Sequence, residues 1–181
     1  MILLYIIVSI VVLIVAIIGL MWIYSKFVPK DDTNIQVEKR TPLVLEKITE
    51  KEALLSTEFV IENPTREETI IMDVFARPYL PQEQFDRVIV SAHIERISER
   101  RNDSYFEASV LQEHSNWPLI MTLKFTSRYD ESITKALADM VDMDVALYFD
   151  GILRKYVHTR KTFTTFTREE IKKAVGGAKN E

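Results

Sequence analysis

Cysteine is absent from this chain of 181 residues. That excludes disulfides, thiolate zinc sites, iron–sulfur clusters and a cysteine nucleophile. Glycine is nearly as scarce, with only Gly19, Gly151, Gly176 and Gly177. None belongs to a loop able to cradle a phosphate, so P-loop and dinucleotide fingerprints are missing. No Gly-x-Ser-x-Gly nucleophile elbow occurs either. The three histidines, His93, His114 and His158, lie too far apart in sequence for a metal motif. An excess of basic charge is also missing: the net charge is −4, which argues against general nucleic-acid binding.

A further absence is local. From Ile2 to Tyr24 the chain has no charged side chain and no proline. As a helix rising about 1.5 Å per residue, this run reaches roughly 34 Å, enough to cross a hydrocarbon core of about 30 Å. A lone segment in lipid satisfies its backbone only as a helix. Tyr5 at one end and Trp22 and Tyr24 at the other suit the two interfaces. The competing reading is a cleavable signal peptide. Against it stand the lack of a basic residue before the run and the bulky Leu20–Tyr24 end. No Lys or Arg precedes the run, whereas Lys26, Lys30, Lys39 and Arg40 follow it. The charge rule then predicts an outside N-terminus and a cytoplasmic domain. The alternative is a signal anchor with the domain outside the cytoplasm.

The predicted organisation is a transmembrane anchor at 1–24, a polar linker at 25–42 bounded by Pro29 and Pro42, a β-sandwich domain at 43–166, and a short C-terminal helix with a frayed tail at 167–181. Period-two patterning dominates the domain, the mark of half-buried strands. Leu43–Ile48 reads as a first strand. In Leu54–Glu62, Leu55, Thr57, Phe59 and Ile61 face one way, and Asn63-Pro64-Thr65 stops the strand. Thr69–Ala76 follows with Ile70, Met72, Val74 and Ala76 on one face, before Pro78 and Pro81 interrupt. Arg87–Ile97 points Val88, Val90, Ala92 and Ile94 inward and Arg87, Ser91, His93 and Glu95 outward. A turn at Ser98–Asp103 leads to a strand over Tyr105–Gln112. Pro118 opens another strand, with Leu119, Met121, Leu123 and Phe125 inward.

The period then changes. Ile133, Leu137, Met140 and Val141 share one face of a short helix. Asp144–Phe149 and Ile152–Thr159 flank Asp150-Gly151, a two-residue hairpin signal. Thr167-Arg168-Glu169-Glu170 has capping-box spacing for a helix reaching Val175, which Gly176-Gly177 would end. The fold class that follows is mainly β, an antiparallel sandwich of seven or eight strands with one short helix behind a transmembrane helix.

Chemistry is thinly represented. His93 and His158 fall on polar strand positions, and His114 in a turn. Asp142, Asp144 and Asp150 are interleaved with Met140, Val141, Met143 and Val145, which reads as a helix-to-strand junction rather than a shaped calcium loop. Two basic clusters stand out: Arg96, Arg100 and Arg101, and Arg154, Lys155, Arg160 and Lys161. They suit an anionic headgroup or an acidic partner, or else a charged strand that resists edge pairing. The latter is preferred. No catalytic, cofactor-binding or metal residue is assigned, and no cofactor.

Phe59-Val60-Ile61-Glu62-Asn63-Pro64-Thr65 resembles the strand and Asn-Pro turn of the group-two late embryogenesis abundant proteins, the water-stress and hypersensitive-response (WHy) domain family. Ile133–Tyr156, with its short helix, strand, Asp-Gly and returning strand, is similar as well. The resemblance spans most of residues 43–166. It implies a small sandwich related in shape to immunoglobulin and fibronectin type III domains, without catalytic residues. Its members are linked to stress protection or serve as membrane-anchored accessory modules.

The expected function is a membrane-anchored, non-catalytic binding or scaffolding module, such as an accessory subunit of a membrane or envelope assembly. Its expected partners are the bilayer and a protein, with no nucleic acid. Two alternatives stand beside it: a stress-protective module, and an enzyme or ligand-binding domain with a loop-built site beside His93 or His158.

Overall fold

The computed structural model describes residues 1–27, 32–101, 103, 105–153 and 156–176. The chain forms two compact units, Met1–Asp31 and Asp32–Glu181. The first is α1 (Ile2–Phe27). It is long and apolar enough to cross a membrane, and none of its span is buried against protein. A signal sequence has the same features. Near its end the Lys26 ammonium lies over the Trp22 ring, 5.3 Å from its centroid, within cation–π range.

The second unit is two antiparallel sheets. The first sheet holds β1 (Asn34–Ile35), β2 (Val44–Ile48), β3 (Glu52–Asn63), β5 (Val88–Arg96) and β7 (Ser115–Ser127). β1 and β2 both flank β3, which is followed by β7 and then β5. The second sheet runs β6 (Ser109–Leu111), β4 (Thr69–Tyr79), β8 (Met143–Leu153), β9 (Tyr156–Phe166). Between them lies one core. Leu55, Phe59 and Ile61 of β3 and Leu119, Met121, Leu123 and Phe125 of β7 meet Ile71, Val74, Val145, Leu147 and Phe149 of the second sheet. Fully burying each such side chain is worth about 1.5–3 kcal/mol. α2 (Ile133–Ala138) adds Ile133 and Leu137 to this core. Ser132 is its N-cap and accepts the Lys135 N–H. α3 (Arg168–Gly176) adds Ile171 and Val175.

The alternation predicted for β3 and β7 is present, but five local expectations are corrected. Ile70 and Met72 do not share the inner face with Val74. A bulge between Ile71 and Asp73 flips the phase, so Thr69 and Ile71 are buried before it, and Ile70 and Met72 are exposed. β4 also runs through Pro78 to Tyr79. β6 covers only Thr69–Ile71, so beyond it β4 has a ladder on one side only, where proline is tolerated. Residues 105–108 form no strand; Phe106 is buried instead as a loop anchor. Within the expected linker 25–42, Ile35 and Val37 are core residues, and a 3-10 turn covers Val37–Lys39.

The fifth correction concerns Asp150-Gly151. It is no turn: Asp150 pairs with Thr159 and Gly151 with His158, and the ladder continues to Leu153↔Tyr156. Arg154 and Lys155, which follow Leu153, lie outside the described residues. Gly151 is needed for space rather than for positive φ. A Cβ there would stand 2.7 Å from His158 Nε2 and 3.2 Å from the Ile70 carbonyl oxygen. Gly151→Ala is expected to cost about 1–3 kcal/mol through overpacking, read as a lower denaturation midpoint. An unchanged midpoint would show that His158 swings aside freely.

Candidate functional site

The outer face of the second sheet is built by register. Outward rows across β4, β8 and β9 are Tyr79–Asp144–Thr165, Arg77–Ala146–Phe163, Phe75–Tyr148–Lys161, Asp73–Asp150–Thr159 and Ile70–Ile152–Val157. Phe75 and Tyr148 stack with ring centroids 4.9 Å apart and planes 6° from parallel. The Tyr79 and Tyr148 hydroxyls are 3.3 Å apart. Lys161 Nζ sits 4.6 Å from the Phe163 ring centroid, 5.1 Å from Tyr148 and 5.8 Å from Tyr79. One ammonium thus faces three aromatic rings. The hydrogen bond between Lys161 and Tyr148 holds the Tyr148 hydroxyl below its ordinary range and the ammonium above its own. Phe75, Tyr79 and Phe163 stay exposed, although burying aromatic surface is favourable.

Acids bound this patch. Asp144 accepts the Thr165 hydroxyl and Asp150 the Thr159 hydroxyl, each at 2.6 Å. Burial, with Asp150 opposite, pushes the Asp73 carboxyl up, against a lowering backbone hydrogen bond. The chemistry available here is recognition: aromatic surface with a cation at its centre.

The outer face of the first sheet carries a polar groove of about 530 Å³, lined by Glu46, Ser91, His93, Thr122 and Lys124 among others. Arg100 donates to Glu46 at 2.6 Å and to Thr122 at 3.2 Å. Glu95 was read as outward-facing, and it is only 3% exposed. It does lie on the outer face, but the segment after β5 folds back over it. Its Oε1 accepts the backbone N–H groups of Arg101 (2.9 Å) and Asp103 (3.3 Å). His93, at its polar strand position, is partly covered as well: its Nε2 is 3.6 Å from Glu95 Oε2 and its side chain is 19% exposed.

Burial raises the Glu46 carboxyl, but hydrogen bonds from Arg100 and Ser56 outweigh it, and the net shift is downward. A depressed folded value means a stabilisation complete above the ordinary value of 4.5 and lost as pH falls through the lower folded value. Glu46→Gln is therefore expected to flatten the acid limb of a stability–pH profile between 4.5 and the lower folded value. An identical limb in both proteins would remove Glu46 from the account.

The other sequence-predicted residues disperse. His114 is a turn residue at φ 48, and His158 meets the Phe149 ring edge-on at 6.1 Å. Asp142 accepts the Arg168 N–H at 2.7 Å, a helix-terminal role. Among the described residues, no three histidine or acidic side chains are grouped to hold a metal ion. Arg96 pairs with Glu99 and lies over Trp117, and Arg101 pairs with Asp103. Of the second basic cluster, Lys161 belongs to the aromatic face, and Arg154 and Lys155 lie outside the described residues. The aromatic face itself was missed in the sequence. Its signal was present: in the β4 pattern that buries Val74 and Ala76, Phe75 and Arg77 must point the other way.

No family model matches this sequence, and no curated protein matches it. Among solved structures, the GAE domain of GGA2p from Saccharomyces cerevisiae aligns with TM-score 0.36 and 5% identity, over 77% of this chain and 99% of that one. A protein from Archaeoglobus fulgidus aligns with TM-score 0.39 and 9% identity, over 74% and 94%. The yeast GGA1 GAE domain gives TM-score 0.34 and 10% identity, over 76% and 99%. At these scores and identities, neither structure nor function carries across.

Proposed function

We propose that this chain is a single-pass, membrane-anchored binding module without catalytic activity, which presents the outer face of β4, β8 and β9 to a protein partner. The observation that carries the reading is the exposed group Phe75, Tyr79 and Phe163 around Lys161. Exposed aromatic residues are enriched at protein interfaces, and tyrosine at their hot spots; Lys161 adds a charge that an acidic group on the partner can meet. The long, unburied apolar α1 supports the membrane attachment. The lysines and arginine after it favour a cytoplasmic domain, and an accessory subunit of a membrane or envelope assembly fits both. The WHy resemblance, and the kinship with immunoglobulin and fibronectin type III sandwiches that it implies, belong to the same reading.

A photo-crosslinking amino acid placed at Phe75 or Phe163 in native membranes is expected to give one discrete adduct, absent when it is placed at Ser91 on the other sheet. No adduct from the aromatic face, or the same adduct from both faces, would refute it. Protease added outside intact cells or spheroplasts is expected to spare the domain; digestion there would reverse the topology.

One specific observation favours a second reading. The groove holding Glu46, His93 and Lys124 is a place for a small polar ligand. Chemical-shift changes confined to His93 and its neighbours on metabolite titration would support it over the first.

A further inference from the structure

Strand register fixes which segments share one end of the sandwich. Asn34 of β1 pairs with Glu62, and Asn63 with Ser115. Thr69 pairs with Leu111 and Ile70 with Ile152, while Leu153 pairs with Tyr156. The start of β1, the 63–69 connection, the turn before Ser115, the end of β8 and the start of β9 therefore lie at the same end. β1 and β9 also run along the same side, because Arg40, shortly after β1, donates to Thr164 and Thr165 of β9.

Tyr156 is 78% exposed and Val157 69% exposed at this end, and Val157 continues an outward row with Ile70 and Ile152. Tyr156 pairs with the inward-facing Leu153 and so takes the other face of β9 from Val157; the first two residues of the strand thus expose apolar surface on both faces, which gains by leaving water. Only residues 28–33 separate α1 from β1, a chain length that reaches no more than roughly 25 Å even fully extended. If α1 is held in a bilayer, this short tether gives that bilayer's surface a high effective concentration at the end where β1 begins.

We propose that Tyr156 and Val157, with Ile70 and Ile152 in the row beside Val157, bed into the headgroup interface of the membrane that holds α1. The proposal rests on α1 being a retained anchor. Tyrosine settles at this depth because its ring is apolar and its hydroxyl is wet. The lipid surface involved is zwitterionic. Glu67, Glu68 and Glu113 line the neighbouring groove with Arg66, and in the sequence Arg154 and Lys155 directly precede Tyr156, so acids and bases balance and net attraction to anionic headgroups does not drive the contact.

The absence of cysteine makes the test direct. Trp22→Cys, Tyr156→Cys and Ser91→Cys variants of the full chain are each labelled with bimane and reconstituted in phosphatidylcholine vesicles. The vesicles contain lipids brominated at shallow or deep positions. The label on Trp22→Cys should be quenched. On Tyr156→Cys it should be blue-shifted and quenched by the shallow bromines alone, with the quenching lost when Val157→Ser is added and kept in high salt. On Ser91→Cys it should be unquenched. Quenching at Trp22→Cys but not at Tyr156→Cys, or equal quenching at Tyr156→Cys and Ser91→Cys, overturns the docking and leaves the anchor standing. No quenching at Trp22→Cys overturns the anchor itself, and the docking with it.

Discussion

Asn63→Asp is expected to cost the sandwich about 3–5 kcal/mol, a large share of the roughly 5–15 kcal/mol that holds an ordinary domain folded. Asn63 is completely buried. Its Nδ2 donates to the carbonyl oxygens of Glu67 (2.8 Å), Gln112 (3.1 Å) and Leu111 (3.2 Å). Its Oδ1 accepts the Thr65 N–H at 3.1 Å and the Thr65 hydroxyl at 2.6 Å. One side chain therefore closes the β3–β4 connection and ties it to the turn between β6 and β7. Aspartate has nearly the same shape, so packing is held constant while the donors are replaced by a negative charge facing three carbonyls. Asn63→Ala should cost less, because the carbonyls lose their donor without meeting a charge. The check is denaturant unfolding of the detergent-solubilised chain, followed by near-ultraviolet circular dichroism. A midpoint for Asn63→Asp no lower than that for Asn63→Ala would contradict the argument.

Arg40→Met is expected to undock α3 and lower stability by about 2–4 kcal/mol. The guanidinium makes two parallel bonds to Glu170, at 2.6 and 2.8 Å. It also donates to the Thr164 hydroxyl at 2.9 Å and the Thr165 carbonyl at 3.0 Å, and it lies 4.3 Å from the Phe166 ring centroid. The side chains of Arg40 and Glu170 are 15% and 23% exposed, so solvent screens the pair only in part. Methionine keeps the stem and removes every one of these contacts, leaving the Glu170 carboxylate without its cation. Arg40→Lys should rescue little, since a point charge cannot supply the planar fork. Hydrogen exchange of the α3 amides reads the effect locally: protection in Arg40→Met equal to that of the unaltered protein would show that Ile171 and Val175 hold the helix unaided.

Both residues show how sequence patterns conveyed position without role. Asn63 was legible as a strand stop because Asn-Pro is turn chemistry; nothing local says that its amide reaches Leu111 and Gln112. Glu170 was legible as the acid at the N3 position of a capping box. In the fold Thr167 does its half, its hydroxyl accepting the Glu170 N–H at 3.2 Å, but the Glu170 side chain turns to Arg40. Arg40 itself was counted only as a charge near the membrane. Glu95 alternated correctly with Ile94, yet alternation says which face a residue takes, not whether a loop will cover that face. The Ile71–Asp73 bulge reversed Ile70 and Met72 because a period-two pattern cannot announce an extra residue.

The amino-acid sequence by itself determined the apolar helix, the antiparallel strands with their inner faces on β3, β5 and β7, and the two short helices. Each depends on interactions between residues near in sequence, or on a period that one strand carries alone. The tertiary structure decided the rest: that Gly151 makes room for His158 rather than forming a turn, that Asn63 and Arg40 join distant segments, and that Phe75, Tyr148, Lys161 and Phe163 meet on one face. Those outcomes depend on the register between strands, which only the pairing of the whole sheet sets.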